Sequence, residues 1–344
     1  MSATDVTGTF TPPTPTQPDR RPRVRPGDAP DTADRVFRGF AVGSGIAVLA
    51  IMGMVGLFLG FRALLALRSA GWSFLTTEAW EPDSHNFGIK AVLFGTVLIG
   101  LTAILIAVPF ALATALFISE YAPRRLQRTF VLLVDLMAAV PSVVYGLWGA
   151  FFLQGNLTGL SRWLSTYLSW IPPLSVTIAD PNDPLATATT YTSSTFIAGV
   201  VVAMMITPIA SSVMREAFIQ APPGEREGAF ALGATKWGMI RAVVLPYGRG
   251  GIIGGTMLGL GRALGETIAV YMIISPVFTM KWHILQNGGI SVSALIALRW
   301  GSASDFGLSA LFAAGLALFV MTLAVNFVAS SIVARSRSGA GAEG

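Results

Sequence analysis

Residues 221–246 read APPGEREGAFALGATKWGMIRAVVLP and lie between two long apolar runs, about 195–213 and 250–276. Pro222-Pro223-Gly224 forbids extension of the preceding helix and offers the start of a new one. Glu225 and Glu227 fall in its first turn, where the positive end of a helix dipole favours carboxylates. Gly233 can take the left-handed conformation that stops a helix, and Thr235 can cap the next one. Pro246 closes the segment. The spacing therefore predicts a short helix, a glycine bend and a second short helix over about 214–248, far more chain than a turn requires. From geometry alone this loop is either an interfacial connector or an element built to dock on something.

The two flanking runs belong to a set of six, at about 37–61, 91–118, 129–153, 195–213, 250–276 and 307–333. Each comes near the roughly 20 apolar residues needed to cross about 30 Å of hydrocarbon. Asp135 and Pro141 interrupt the third, and the fourth is expected to end near Pro208. Hydrophobic residues make up 53% of the chain and charged residues 12%, about half the charged share of a soluble domain. The fold class is all-α: a polytopic membrane protein of six transmembrane helices with one projecting helical loop. With no cysteine, disulfides, thiolate metal sites and cysteine nucleophiles are excluded. His85 and His283 are too few to build a metal site, so none is expected.

Charge distribution sets the expected orientation. Of the 23 lysines and arginines, sixteen fall on the side of the 214–248 loop and both termini, six on the other side, and Arg262 within a span. The positive-inside rule then places both termini in the cytoplasm of a multi-pass bacterial plasma (inner) membrane protein. The outer segments, about 62–90, 154–194 and 277–306, carry Trp72, Trp80, Trp163, Trp170, Trp282 and Trp300, which suits rings at a membrane interface. Residues 1–34, with seven prolines, read as a disordered cytoplasmic tail. Residues 35–335 form the membrane domain, and 336–344 a short cytoplasmic tail.

Inside the fifth run stands GRALGETIAV, residues 261–270, with Arg262 and Glu266 near mid-span. A buried ionisable residue costs at least about 2.5–3.5 kcal/mol, so it needs a partner or a task. At about 100° per residue, Gly251, Gly255, Gly259, Arg262 and Glu266 share one face. Small residues permit close helix approach, so this face is expected to meet protein or a cavity while Ile253, Met257, Leu260, Leu264 and Ile268 meet lipid. The two charges are either an internal ion pair that fixes packing or part of a pathway for an anion. An arginine fork matches a tetrahedral oxyanion. A neighbouring carboxylate suits phosphate, which keeps a proton near neutral pH, better than sulfate. Asp135, within a turn or two of Arg128, is expected to be an interfacial charge.

Two motifs then resemble known families. Glu227-Gly228-Ala229, Gly233 and Leu245-Pro246 are spaced like the EAA loop of ATP-binding-cassette importer permeases, with Gly228 for the first alanine and Val243 for the isoleucine. In that family the loop forms coupling helices that dock in a groove of a cytoplasmic ATPase. GRALGETIAV, with AAVPSVVYGLWG at 139–150, is similar to phosphate importer permeases of the Pst system, and Ile268-Ala269-Val270 favours the PstC type over PstA. The resemblance covers residues from about 36 to the C-terminus. It implies a second, PstA-like permease, two copies of a PstB-like ATPase and an extracytoplasmic PstS-like phosphate-binding protein. The chain is then no enzyme by itself and holds no cofactor, ATP and Mg being bound by the partner ATPase. Consistently, none of its three lysines follows a glycine as a Walker A loop demands. The rival readings are a secondary ion-coupled anion carrier, a membrane-embedded enzyme or scaffold, and a permease for another oxyanion.

Overall fold

A computed structural model describes residues 32–177 and 189–338. The expected tail lies outside these residues except for its last three positions, where helix α1, Thr32–Ala70, has already begun. Most of the expected C-terminal tail is likewise outside them. The chain forms two units that divide within α1, between Met54 and Val55. In the first unit α1 exposes Phe37, Phe40, Ile46 and Leu49, as suits a helix surrounded by lipid.

The second unit holds the rest. Helix α2 spans Lys90–Leu116 and runs into a π-turn, Phe117–Tyr121. Helix α3, Arg124–Ala139, meets α4, Ser142–Tyr167, at 85°. Helix α5 spans Thr195–Ile219. The loop contributes α6, Pro223–Ala231, and α7, Lys236–Met239. Then come α8, Arg249–Gly265, α9, Ile268–Ile273, α10, Val292–Arg299, and α11, Asp305–Ser338.

Among the described residues, four helices are long and apolar enough to cross a membrane, and the bent α3–α4 pair makes a possible fifth. Two of the six expected spans are broken, the third at Pro141, where an interruption was expected, and the fifth at Glu266, where none was. Pro141 removes an amide donor and biases Val140 toward extended backbone; Val140 has φ −66° and ψ 128°. The freed carbonyl of Met137 accepts from Val140 N at 3.4 Å and from the Tyr145 hydroxyl at 3.1 Å. In the predicted fifth span, the chain leaves the helix at Glu266, with φ −66° and ψ 125°. At 17 residues, α8 reaches only about 26 Å. By contrast α5 continues past Pro208, where it was expected to end; α2 and α8 cover that turn, and helix packing of this kind makes proline tolerable inside a membrane helix.

The core is α5 packed between α2 and α8 through small residues. A Cβ on Gly199 would lie 2.6 Å from the Thr102 side chain, one on Gly251 2.1 Å from Ala217 Cβ, and one on Gly255 2.8 Å from Ala210 O. Gly251 and Gly255 thus meet protein, as expected, whereas Arg262, assigned to the same face, is exposed. The opposite face does not wholly meet lipid: Leu264 is buried against Gly100 of α2. The open strip of α8 is Leu258, Arg262 and Gly265.

At the end remote from the 221–246 loop, the segments between spans carry local structure of their own. Strands β1, Trp80–Glu81, and β2, Asn86–Phe87, pair antiparallel. Trp80 is buried among aromatics rather than interfacial, whereas Trp72, Trp163, Trp170, Trp282 and Trp300 are exposed. Within 277–306 the chain forms α10, whose first turn is buried. Residues 178–188 of the 154–194 segment lie outside the described residues.

Candidate functional site

The loop takes the predicted form. Gly233 adopts φ +84°; its amide donates to Phe230 O at 2.9 Å and that of Ala234 to Ala229 O at 3.0 Å. This is the paired hydrogen bonding of a glycine-stopped helix. Thr235 Oγ1 accepts from Gly238 N at 3.1 Å and caps α7. Glu225, Glu227 and Gly228 are exposed on α6, as are Phe230, Leu232 and Trp237 around the bend. Ala229 is half-buried and packs inward instead of sharing the outward face of Glu227-Gly228. A π-turn, Ile240–Val244, then leads to Leu245–Tyr247. Leu245 is half-buried and Pro246 exposed in this last turn before Gly248.

The loop is seated on the membrane domain by its own small core. Met239, Ile240 and Val244 pack with Ala111, Ala115 and Leu116 of α2 and with Ala210, Met214 and Phe218 of α5. Sequence reading missed the polar counterpart. Arg226 Nη1 lies 3.0 Å from Glu120 Oε1 and donates to Oε2 at 3.1 Å, while Nη2 donates to Phe218 O at 2.5 Å. The Glu120 side chain is only 4% exposed. The available signal was a glutamate at the end of an apolar span, which needs a cation nearby.

Arg262 and Glu266 are not an ion pair in this chain; the ion pairs among the described residues join other groups. Helix α8 ends at Gly265, so the assumption of four-residue spacing on one continuous helix fails. Arg262 sits in the last turn of α8 and is exposed. Glu266 is buried, and its Oε1 accepts from Ala269 N at 3.2 Å, capping α9. Ser293 of α10, also unnoticed in the sequence, donates to Glu266 O at 2.7 Å. The helices that follow the two interruptions pack together: a Cβ on Gly146 of α4 would lie 3.0 Å from Ala269 Cα of α9. Asp135 is exposed on α3. Among the described residues no three His, Asp or Glu side chains converge as metal ligands would.

A helical membrane unit with interrupted spans and a helix–glycine–helix loop has the architecture of a transporter's membrane component. The chain belongs to the family of binding-protein-dependent transport system inner membrane components, which matches residues 107–338. It is 39% identical over 306 residues to the phosphate transport system permease protein PstC 2 of Mycobacterium tuberculosis, covering 87% of this chain and 91% of that one. It is 36% identical over 304 residues to PstC of Xylella fastidiosa, covering 88% and 91%. In fold it resembles a bacterial ABC transporter that imports alginate, with TM-score 0.54 and 18% identity over 88% of this chain and 97% of that one. A second alginate transporter structure, in complex with its alginate pentasaccharide-bound periplasmic protein, gives 0.55 and 16% over 88% and 95%.

Proposed function

We propose that this chain is one permease subunit of an ATP-driven importer whose cargo is inorganic phosphate. It works beside a second, PstA-like permease, two copies of a PstB-like ATPase that bind ATP and Mg, and an extracytoplasmic PstS-like phosphate-binding protein. Both termini and the 221–248 loop face the cytoplasm, in accord with the excess of basic residues on that side. The exposed strip of Glu227, Gly228, Phe230 and Trp237 is the surface offered to the ATPase. ATP-driven closure moves this loop and switches access between the two membrane faces.

The observation that carries the cargo is the exposed Arg262 guanidinium at a span interruption, in a chain whose relatives are named phosphate permeases. Interrupted helices are where transporters place substrate sites. Arg262 has no ion-pair partner among the described residues, so its forked donors are free for an oxyanion. One oxygen of Glu266 is taken by Ala269 N; the other can accept the proton that phosphate keeps and sulfate lacks. Reconstitution tests the reading. Phosphate uptake into proteoliposomes should require ATP, the binding protein and all three membrane-associated components, and excess sulfate should not compete. Uptake driven by an ion gradient without ATP would instead identify a secondary carrier.

A further inference from the structure

We propose that Arg226 and Glu120 form the strut through which movement of the 221–248 loop reaches the membrane helices; this rests on the importer reading above. Helix α6 has no buried residue. Its outward side carries Glu227 and Gly228, the surface offered to the ATPase, while Ala229 gives only a half-buried apolar contact on its inward side. Apolar packing alone would let so thin an attachment slip when α6 is pushed. Arg226, adjacent to that outward surface, reaches the opposite way.

Its fork grips two separate helices. Nη1 holds the carboxylate of Glu120, in the π-turn that ends α2, and Nη2 holds the carbonyl of Phe218, in the last turn of α5. Phe218 is fully buried, and Glu120 nearly so. A charge-assisted, two-pronged contact of this kind fixes direction as well as distance. Helix α5 in turn lies against Gly251 and Gly255 of α8, and α8 ends at Arg262 and the interruption. The load path therefore runs from α6 through Arg226 to α5 and α2, and from α5 along α8 to the proposed phosphate site. Arg226 is a positioning residue: it touches neither nucleotide nor cargo.

The test uses the complete complex in proteoliposomes, with Glu120→Gln, Arg226→Gln, Arg226→Lys and the exchanged pair Glu120→Arg with Arg226→Glu. Copurification of the ATPase, basal and binding-protein-stimulated ATP hydrolysis, and phosphate taken up per ATP are measured together. The neutral single variants should still assemble and keep basal hydrolysis. Their stimulated hydrolysis should fall at least about tenfold, within the range typical of coupling between two sites, and uptake per ATP should fall with it. Lysine, a point charge without the fork, should be intermediate. The exchanged pair, which restores the ion pair but sets a carboxylate that cannot donate beside the Phe218 carbonyl, should regain only part of the stimulation lost in either neutral variant. Single variants that assemble and couple like the unmodified chain would overturn the strut while leaving the importer reading intact. Loss of assembly in every variant, the exchanged pair included, would also overturn it, because the pair would then only build the loop. An unmodified complex without ATP-dependent phosphate uptake would overturn the importer reading itself, and the strut with it.

Discussion

Neutralising Arg262 and Glu266 singly and together separates a phosphate site from a packing pair. Arg262 is exposed on α8 and makes no ion pair among the described residues, so Arg262→Gln breaks no described ion pair and the complex should assemble at normal yield. If the guanidinium binds phosphate, the variant loses one charge-assisted hydrogen bond of about 1.5–3 kcal/mol, and uptake falls between about ten- and a hundredfold. Lysine should recover part of this. Glu266→Gln keeps an oxygen for the Ala269 amide, now 3.2 Å from Oε1, so α9 stays capped and only the negative charge is lost. Glu266→Ala removes the acceptor and leaves a buried amide unpaired, at a cost of about 1–3 kcal/mol; its complex should be less stable as well as inactive. Since the two charges do not meet, the effects of Arg262→Gln and Glu266→Gln on complex yield should simply add. Yield after affinity purification and initial phosphate uptake are measured for the four single variants, the double Arg262→Gln, Glu266→Gln variant and the unmodified complex. Singles that assemble poorly and a double variant that recovers both yield and uptake would mean that the charges do pair in the membrane. A double variant that transports at the normal rate would end the case for a substrate role.

Three further outcomes follow from local geometry. Gly233→Val has open space around the new side chain but must hold φ +84°, a strain of about 1–2 kcal/mol; the chain should insert normally while ATP-dependent uptake is lost, with Gly233→Asn milder. Gly255→Val drives a Cβ to within 2.8 Å of the Ala210 carbonyl, and overpacking of about 1–3 kcal/mol should lower the thermal midpoint of the purified protein, whereas Gly254→Ala, with nothing within 4 Å, should leave it unchanged. The Met280 amide, and after it Lys90, hold the Glu78 carboxyl below its ordinary value of 4.5. The ionised form is thus the one that folding favours, and its contribution, present above the unfolded value, is lost as pH falls through the lowered one. Protection of the Met280 amide against exchange should weaken over that acid range, and Glu78→Gln should abolish the pH dependence; Glu78 is exposed enough that the effect is modest.

The loop was legible because its signals are local. Two prolines, a glycine and a threonine each dictate a backbone state within one or two residues, and Pro223–Ala231, Gly233 and Thr235 behave as their chemistry demands. The glycine face of α8 was legible for a similar reason, since Gly251 and Gly255 tolerate only a close neighbour. The opposite face was misjudged because a single helix cannot reveal how many neighbours it has. Leu264 is aliphatic, which suits lipid and protein equally, and only the tertiary placement of Gly100 decides. The Arg226–Glu120 pair was hidden by distance, the partners being 106 residues apart in the chain.

The assumption that Arg262 and Glu266 share one continuous helix failed for a more instructive reason. A helical wheel presumes that the helix continues, and the residue that ends this one is the residue whose placement was sought. A carboxylate in mid-span is costly within an intact helix, where every nearby amide is already bonded. Ending α8 at Gly265 and restarting at Ile268 frees the Ala269 amide, and Glu266 accepts from it. The same interruption turns Arg262 into a last-turn residue of α8, where the negative end of the helix dipole favours a cation. Each charge is thereby held by a helix end instead of by the other. One break thus removes the need for an ion pair and leaves the Arg262 guanidinium outside any ion pair among the described residues.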